Sequence, residues 1–307
     1  AVNLTPEDED EGNIGGGLSF EYGRVFATTS YGDIVALDGE SGETVWKTGL
    51  GVPLRAAPTI AEGQIFVITF DSRIFALDAT TGEINWNFEG GIETTGLLGA
   101  ASPAYDNGTV VVPFASGELY AFRAANGQQA WSDQLVRRRL YSSLTSLTDI
   151  NAFPVIDRGV VYAASYSGRM IAVDLRTGNR LWDQEISTLQ TPWIAGDFLF
   201  VVSTDGDLVC MSRRNGLIRW VRPLGKYEDP EDKRDLIIWT GPILASDRLI
   251  LVSNYGLAVS VSPYNGEVLG RMELSDPASI PPVVAGNTLY ILTDDADLVA
   301  LRAASKE

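Results

Sequence analysis

Aspartate, glycine and tryptophan recur along this chain at a fixed spacing. The segment ALDGESGETVW (36–46) returns forty residues later as ALDATTGEINW (76–86). Carboxylates held at repeated positions beside indoles could form a ring of catalytic or cation-binding groups. The same residue types could instead serve the fold, since aspartate caps turns and tryptophan buries a large apolar surface. The elements that carry these residues decide between the two hypotheses.

The composition excludes several kinds of site. The chain has no histidine, which removes histidine-based acid–base catalysis, Ser-His-Asp and Cys-His nucleophiles and histidine-ligated zinc. Its one cysteine, Cys210, cannot form an intrachain disulfide, and the alternating pattern of DLVCMS (207–212) predicts a buried structural thiol. A net charge of −17 argues against nucleic-acid binding, which needs a basic surface. No apolar run approaches the ~20 residues of a membrane span.

Two acidic segments, TDGD (204–207) and TDDAD (293–297), could suggest calcium. Neither continues into a loop that ends in a bidentate glutamate, and both lie where a turn between two strands is expected. We therefore expect turns there, and neither a metal site nor a cofactor.

The recurring residues belong to a repeat of about forty residues. Five pairs share the spacing Gly-x-x-x-Trp, namely Gly42/Trp46, Gly82/Trp86, Gly127/Trp131, Gly178/Trp182 and Gly216/Trp220. A sixth unit keeps Gly266 but has Gly270 in place of the ring. Three short strands separated by turns precede each glycine, and the tryptophan lies on a fourth. Four strands per unit predict an all-β fold, a β-propeller of four-stranded blades.

Seven such units can be counted, and they begin near Gly15, Pro58, Pro103, Pro154, Pro192, Pro242 and Pro282. We expect a single propeller domain over residues 14–302, between an acidic N-terminal segment (1–13) and a C-terminal tail (303–307). The last unit stops after its third strand, and propellers commonly complete such a sheet with an N-terminal strand. The acidic segment has no alternating apolar pattern for that role, so we expect that sequence before Ala1 is missing.

Within each unit the recurring residues have predicted structural roles. Asp38, Asp78 and Asp174 are predicted to cap the turn after the third strand by accepting backbone N–H groups. The glycine allows a positive φ near the end of that turn. The tryptophan is predicted to lie between neighbouring blades, with its N–H bonded to a main-chain carbonyl of the adjacent repeat. No catalytic residue is expected among them.

The irregular segments between blades are better candidates for function. Loop 89–101 carries Leu97 and Leu98, and loop 133–153 carries Arg137, Arg138 and Arg139 among leucines and a tyrosine. Arginine beside aromatic and leucine anchors is typical of protein interfaces. The alternative is that the leucines plug the end of the propeller and the arginines are surface charge. Loop 223–239 is a weaker candidate.

The unit ALD..TG...W resembles the pyrroloquinoline-quinone (PQQ) repeat of quinoprotein dehydrogenases and their non-enzymatic relatives, over residues 14–302. Within that class, GLLGAASPAYDNGTVVVPFASGELYAFRAANGQQAW (96–131) and SLTDINAFPVIDRGVVYAASYSGRMIAVDLRTGNRLW (146–182) are similar to the BamB family, lipoproteins of the bacterial outer-membrane β-barrel assembly (BAM) complex. That family has eight blades, so the resemblance implies that a first blade and a lipid-bearing cysteine are missing from this chain.

The resemblance implies a non-enzymatic scaffold that aids the folding and insertion of outer-membrane β-barrel proteins. Its implied partners are the periplasmic POTRA region of BamA and, further, unfolded β-barrel clients. The matching contact positions are Leu97, Leu147 and Asp149. Leu98 and Asn151 replace charged residues of the family, so Arg137 to Arg139 could rebuild the charged part of the contact. The implied location is the periplasmic face of the outer membrane, reached through an N-terminal lipid that this chain lacks.

Two alternatives stay open from the sequence. Quinoprotein dehydrogenases share the repeat, yet they carry two adjacent cysteines in a disulfide beside the quinone, and one cysteine cannot supply it. A generic periplasmic protein-binding propeller would have the fold without the BamA partner.

Overall fold

The structure is a computed structural model that describes residues 2–6, 16–91, 101–135 and 152–302. In these ranges the regular structure is entirely β, in short antiparallel strands that follow one another along the chain. The chain divides into two compact units, Ala1–Arg180 and Leu181–Glu307. The boundaries predicted for a single propeller domain, 14–302, stay a prediction.

The first unit contains three complete sheets of four strands and most of a fourth. The first sheet consists of β1 (Leu18–Glu21), β2 (Arg24–Thr28), β3 (Asp33–Asp38) and β4 (Thr44–Gly49). The second consists of β5 (Thr59–Ala61), β6 (Gln64–Ile68), β7 (Arg73–Asp78) and β8 (Ile84–Glu89). The third consists of β9 (Ala104–Asp106), β10 (Thr109–Pro113), β11 (Glu118–Arg123) and β12 (Gln129–Gln134). The fourth consists of β13 (Val155–Asp157), β14 (Val160–Ser165), β15 (Arg169–Asp174) and β16 (Arg180–Gln184), in which the unit boundary falls.

The second unit continues the same order. Its first sheet consists of β17 (Trp193–Ala195), β18 (Phe198–Val202), β19 (Asp207–Ser212) and β20 (Ile218–Pro223). A two-stranded hairpin comes next, with β21 (Tyr227–Asp229) and β22 (Arg234–Leu236), inside the segment considered as a weaker partner loop. The next sheet consists of β23 (Trp239–Ala245), β24 (Arg248–Ser253), β25 (Leu257–Val261) and β26 (Val268–Glu273). The last, three-stranded sheet consists of β27 (Val283–Ala285), β28 (Thr288–Leu292) and β29 (Leu298–Arg302).

These sheets confirm the predicted β-propeller of four-stranded blades. Five of the predicted blade starts are prolines that directly precede a first strand, where no ladder N–H is needed. Pro242 differs, because it lies inside the longer strand β23 at a register shift. The seven predicted units correspond to the seven sheets other than the β21–β22 hairpin in the described part of the chain.

Burial follows the position of a strand in its sheet. In β6, Ile65, Phe66 and Val67 are all buried, as expected where both faces of a sheet are covered. In β8 the pattern changes, and Trp86 alone is buried on the outer strand. Tryptophan therefore carries most of the apolar surface that the fourth strand contributes to the core.

Four of the repeat tryptophans lie opposite a small residue on the third strand of their own sheet. Trp46, Trp86 and Trp131 pair with Ala36, Ala76 and Ala121, and Trp220 pairs with Cys210. A bulge in the pairing comes directly after each small residue, and a bulge re-aims neighbouring side chains. The small partner leaves room for the indole to lean toward the next sheet.

The indoles join each sheet to the next in two ways. First, each N–H donates to a main-chain carbonyl of the following repeat: Trp46 to Ala79 (3.2 Å), Trp86 to Ala124 (2.7 Å), Trp131 to Leu175 (2.6 Å), Trp182 to Arg213 (2.8 Å) and Trp220 to Pro263 (3.2 Å). Second, each ring covers the repeat glycine of the following sheet. A Cβ on that glycine would lie 2.5 Å from Trp46 at Gly82, 2.7 Å from Trp86 at Gly127 and 2.7 Å from Trp131 at Gly178. The same distances are 3.0 Å from Trp182 at Gly216 and 2.8 Å from Trp220 at Gly266.

The contact between Trp86 and Gly127 can be tested by adding one methyl group. Gly127 (φ 70°) and Gly108 (φ 70°) have the same backbone conformation, but nothing lies within 4 Å of a Cβ built on Gly108. Gly108→Ala should cost only backbone strain, about 1 kcal/mol of unfolding free energy. Gly127→Ala should cost about 2–4 kcal/mol, because the methyl group also collides with the indole.

Urea denaturation of both variants measures the difference, with Gly108→Ala as the matched control. Equal unfolding midpoints for the two variants would show that the glycine is needed for its φ angle alone.

Candidate functional site

The repeated aspartates act inside their own hairpins. Asp78 Oδ1 accepts the backbone N–H groups of Thr80 (2.8 Å) and Thr81 (2.9 Å). Asp38 Oδ1 binds the N–H groups of Glu40 (3.1 Å) and Ser41 (2.8 Å) in the same way. Asp174 Oδ1 accepts both the N–H (2.8 Å) and the hydroxyl (2.7 Å) of Thr177. Each carboxylate is thus turned toward its own turn, and the aspartates do not converge on one centre.

The pKa values of these aspartates agree with a capping role. The backbone N–H of Thr81 and then that of Thr80 lower the pKa of Asp78. The backbone N–H of Ser41 does most to lower the pKa of Asp38, and the Thr177 hydroxyl does so for Asp174. A general base at neutral pH needs a raised carboxyl pKa, which hydrogen bonds to the charged form oppose.

A second kind of turn holds the hairpins that lack the aspartate. In the third sheet the corresponding residue is Arg123, and Asn126 Oδ1 accepts the N–H of Gln128 (3.1 Å), as the Ser41 hydroxyl does from Glu43 (3.2 Å) in the first sheet. Asn215 and Asn265 act alike toward Leu217 (3.2 Å) and Glu267 (3.1 Å). In the sequence these three hairpins have Asn-Gly where the aspartate-capped hairpins have Ser-Gly or Thr-Gly. The sequence prediction did not use this difference. The first turn residue differs among these hairpins: Ser262 still accepts the N–H of Tyr264 (3.3 Å), whereas the Arg123 guanidinium cannot accept a hydrogen bond.

The acidic turns considered for calcium are engaged in other contacts. Asp205 forms a salt bridge with Lys226 (2.6 Å), and Asp294 accepts the N–H (3.0 Å) and hydroxyl (2.8 Å) of Ser279. Among the described residues, no group of three or more acidic, histidine or cysteine side chains could hold a metal ion. Over the same ranges no helix is long and apolar enough to cross a membrane.

Cys210 has a packing role. It lies opposite Trp220, at the position that alanine fills in other sheets, and is buried. Burial raises the pKa of its thiol to about 11, so the reactive thiolate is scarce at neutral pH.

The predicted partner-binding residues lie outside the described part of the chain. They are Leu97, Leu98, Arg137, Arg138, Arg139, Leu147 and Asp149, in segments 92–100 and 136–151. The structure does define where both segments attach. One enters the third sheet before β9, and the other leaves the same sheet after β12.

Both segments depart from one end of the third sheet, because β9 starts and β12 finishes there in an antiparallel order. We call this end of the first-unit sheets the loop end. Its backbone is firmly attached: Gly90 N–H donates to Ser72 O (2.9 Å), and Leu135 N–H donates to Gly117 O (2.8 Å). Ala101 and Ala152, which flank the two segments, are buried.

The loop end carries exposed aromatic side chains that our sequence reading missed. Phe70 and Tyr166 occupy the same position in turns between second and third strands, and they are 49% and 37% exposed. Phe153, just before β13, is 42% exposed. The Arg55 guanidinium lies 4.6 Å from the centre of the Phe70 ring. The sequence signal for Phe70 and Tyr166 was an aromatic residue in a turn that otherwise consists of Ser, Thr, Asp and Gly.

The Asp78 cap makes a prediction about pH. Because its folded-state pKa is lowered, the stabilisation is complete above the unfolded pKa and is lost as pH falls through the folded pKa. Asp78→Asn should therefore lower the melting temperature at pH 7, and the gap to the unmodified chain should narrow below about pH 4. Thermal unfolding between pH 7 and pH 3 measures it. Glu83→Gln, an equal charge change in the same hairpin, is the control, and an equal pH-dependent gap for both variants would contradict the cap.

Comparisons with known proteins agree with this geometry. Residues 3–222 match the family model described as outer membrane protein assembly factor BamB. The outer membrane protein assembly factor BamB of Salmonella typhimurium is 28% identical over 98% of this chain and 76% of its own length. The crystal structure of BamB from Moraxella catarrhalis superposes with a TM-score of 0.82 at 25% identity, covering 94% of this chain and 84% of that one.

A dehydrogenase is also similar in fold. A europium-containing methanol dehydrogenase superposes with a TM-score of 0.69 over 96% of this chain and 79% of its own, but at 12% identity. That likeness shows the shared propeller alone. The family match, in contrast, covers most of the chain, and this chain belongs to the BamB family of outer membrane protein assembly factors.

Proposed function

We propose that this chain is a non-enzymatic assembly factor for outer-membrane β-barrel proteins, and that its loop end docks on the periplasmic POTRA region of BamA. Family membership supports the first part, since the matching family and relatives are assembly factors. The docking site is the finer part of the proposal.

One observation carries the docking site: the two irregular segments attach to the same end of one sheet. Leu97 and Leu98 belong to the segment before β9, and Leu147, Asp149 and Arg137 to Arg139 belong to the segment after β12. Both segments attach to the sheet at the loop end, where the flanking residues Ala101 and Ala152 are buried. A partner bound there can contact both.

The described surface beside these segments has the composition of an interface. Phe70, Phe153 and Tyr166 add exposed aromatic area, and Arg55 packs on the Phe70 ring. Aromatic side chains and arginine are enriched among residues that dominate binding energy. The loop end therefore offers apolar anchors in a chain whose net charge is −17.

The dehydrogenase alternative has less support. It rests on the fold shared with enzymes at 12% identity. Cys210 is the one cysteine, is buried, and packs against Trp220, so the adjacent-cysteine disulfide of quinoprotein dehydrogenases has no counterpart. The repeated aspartates are held as turn caps with lowered pKa values.

Location and further partners belong to the same proposal. An assembly factor of this family acts at the periplasmic face of the outer membrane, and we propose attachment through an N-terminal lipid. Unfolded β-barrel chains are the proposed clients.

Calorimetric titration with a purified POTRA fragment of BamA tests the docking site. Leu97→Asp and Asp149→Arg should each weaken binding by about tenfold or more, because they place or reverse charge at central contacts. Phe70→Ala should weaken it by a smaller factor. Tyr264→Ala removes an aromatic side chain of the second unit that is more exposed than Phe70 (76% against 49%) and should leave the affinity unchanged.

Two results would contradict the proposal. Unchanged affinity in Leu97→Asp, Asp149→Arg and Phe70→Ala would remove the loop end as the docking site and favour a generic binding propeller. Dye reduction with an alcohol after addition of PQQ and calcium would establish the enzyme instead.

A further inference from the structure

A groove lies between the third and fourth sheets of the first unit, at the end opposite the loop end. It has a volume of about 750 Å³, which is within the range of ligand-binding clefts. Its charged lining residues are Arg123, Arg158, Arg176 and Asp174. We call this end the hairpin end, because the turns between first and second strands and between third and fourth strands both lie there.

The charge of the groove is opposite to that of the chain. Three arginines and one aspartate line it, whereas the whole chain has 23 basic and 40 acidic side chains. Asp174 accepts the N–H and the hydroxyl of Thr177, which lower its pKa most, and the charge of Arg176 lowers that pKa further. The groove is therefore a local positive site on an acidic protein.

The arginines have few acidic partners. Arg158 has a long salt bridge of 3.8 Å to Asp157, and its side chain is 72% exposed. Neither Arg123 nor Arg176 forms a salt bridge in the ranges that the structure describes. Because a guanidinium binds carboxylates through paired hydrogen bonds, such side chains are well suited to an acidic ligand.

Arg123 departs from the structural pattern of the repeat. At this position Asp38, Asp78 and Asp174 cap their turns. In the third sheet this position is an arginine, which cannot accept those N–H groups, and the side-chain hydrogen bond within the turn comes from Asn126. An arginine there serves no capping role and faces the groove instead.

The uncharged lining helps to identify the ligand. Ala125, Ala130 and Leu175 contribute apolar atoms beside the arginines. Glutamate side chains have both a carboxylate for the arginines and methylene groups for these apolar atoms, whereas a bare phosphate has the charge alone.

We propose that this groove binds an acidic peptide segment of a partner protein, with Arg123, Arg158 and Arg176 pairing with its carboxylates. The site is separate from the loop end, so a POTRA domain and an acidic segment can be bound together. It goes beyond the proposed function and can fail without affecting it.

The test measures binding of a fluorescein-labelled peptide with six consecutive glutamates by fluorescence anisotropy at low salt. The variant Arg123→Ser/Arg158→Asn/Arg176→Thr replaces each arginine with the residue at the matching position of another repeat, namely Ser212, Asn107 and Thr80. This choice protects the turns, and circular dichroism and the melting temperature check the fold. Arg214→Ser/Arg248→Asn/Arg271→Thr, an equal charge change in the second unit, is the matched control.

We expect saturable binding that weakens with salt, a dissociation constant about tenfold higher or more in the groove variant, and a change below about twofold in the control. A control peptide with six glutamines in place of the six glutamates should not bind. Equal losses in both variants would mean that net charge alone attracts the peptide, and would overturn the proposal. Arginine-dependent sedimentation with phosphatidylglycerol vesicles, without peptide binding, would assign the groove to phosphate headgroups and also overturn it. POTRA titration of the groove variant separates this site from the loop end.

Discussion

The packing of an indole on the repeat glycine of the following sheet is the contact on which the rest of each unit depends. The ring occupies the space that a Cβ would need, and its N–H binds the carbonyl next to the same turn. One tryptophan thus fixes both the distance between two sheets and the position of the next hairpin. Because this contact lies on the fourth strand, the connections between sheets take no part in it. They are left to vary in length and composition.

The second unit contains the one repeat among the described strands β4, β8, β12, β16, β20 and β26 that lacks the ring. Gly270 stands where tryptophan is expected, and every residue of β26 is exposed. Val283 and Val284 of β27 are exposed as well, in a sheet of three strands. In the first sheet Gly42 lies against Val2, whose Cγ2 is 3.0 Å from a Cβ built there, so an aliphatic side chain partly takes the place of an indole.

The fold could be predicted from sequence because its determining residues are local. Asp78, Gly82 and Trp86 lie on one hairpin, and their spacing alone indicates a capped turn and a fourth strand. The contact between the repeat glycine and the tryptophan of the preceding sheet could not be predicted so simply, because Gly127 and Trp86 are about forty residues apart in the chain. The aromatic surface at Phe70 and Tyr166 was missed for a related reason. Single exposed side chains carry no periodic signal, and only the strand order shows that the two turns lie at the same end of their sheets.

The two turn chemistries explain where such a repeat can acquire binding residues. Where an aspartate caps the hairpin, as Asp78 does, its replacement removes hydrogen bonds to two backbone N–H groups. At position 123 an arginine stands in place of the aspartate, so its replacement removes no such carboxylate cap. Functional residues should therefore accumulate at positions that the indole contact and the caps do not use. Both sites proposed for this chain involve such positions, namely the segments that attach at the loop end and the turn residue Arg123.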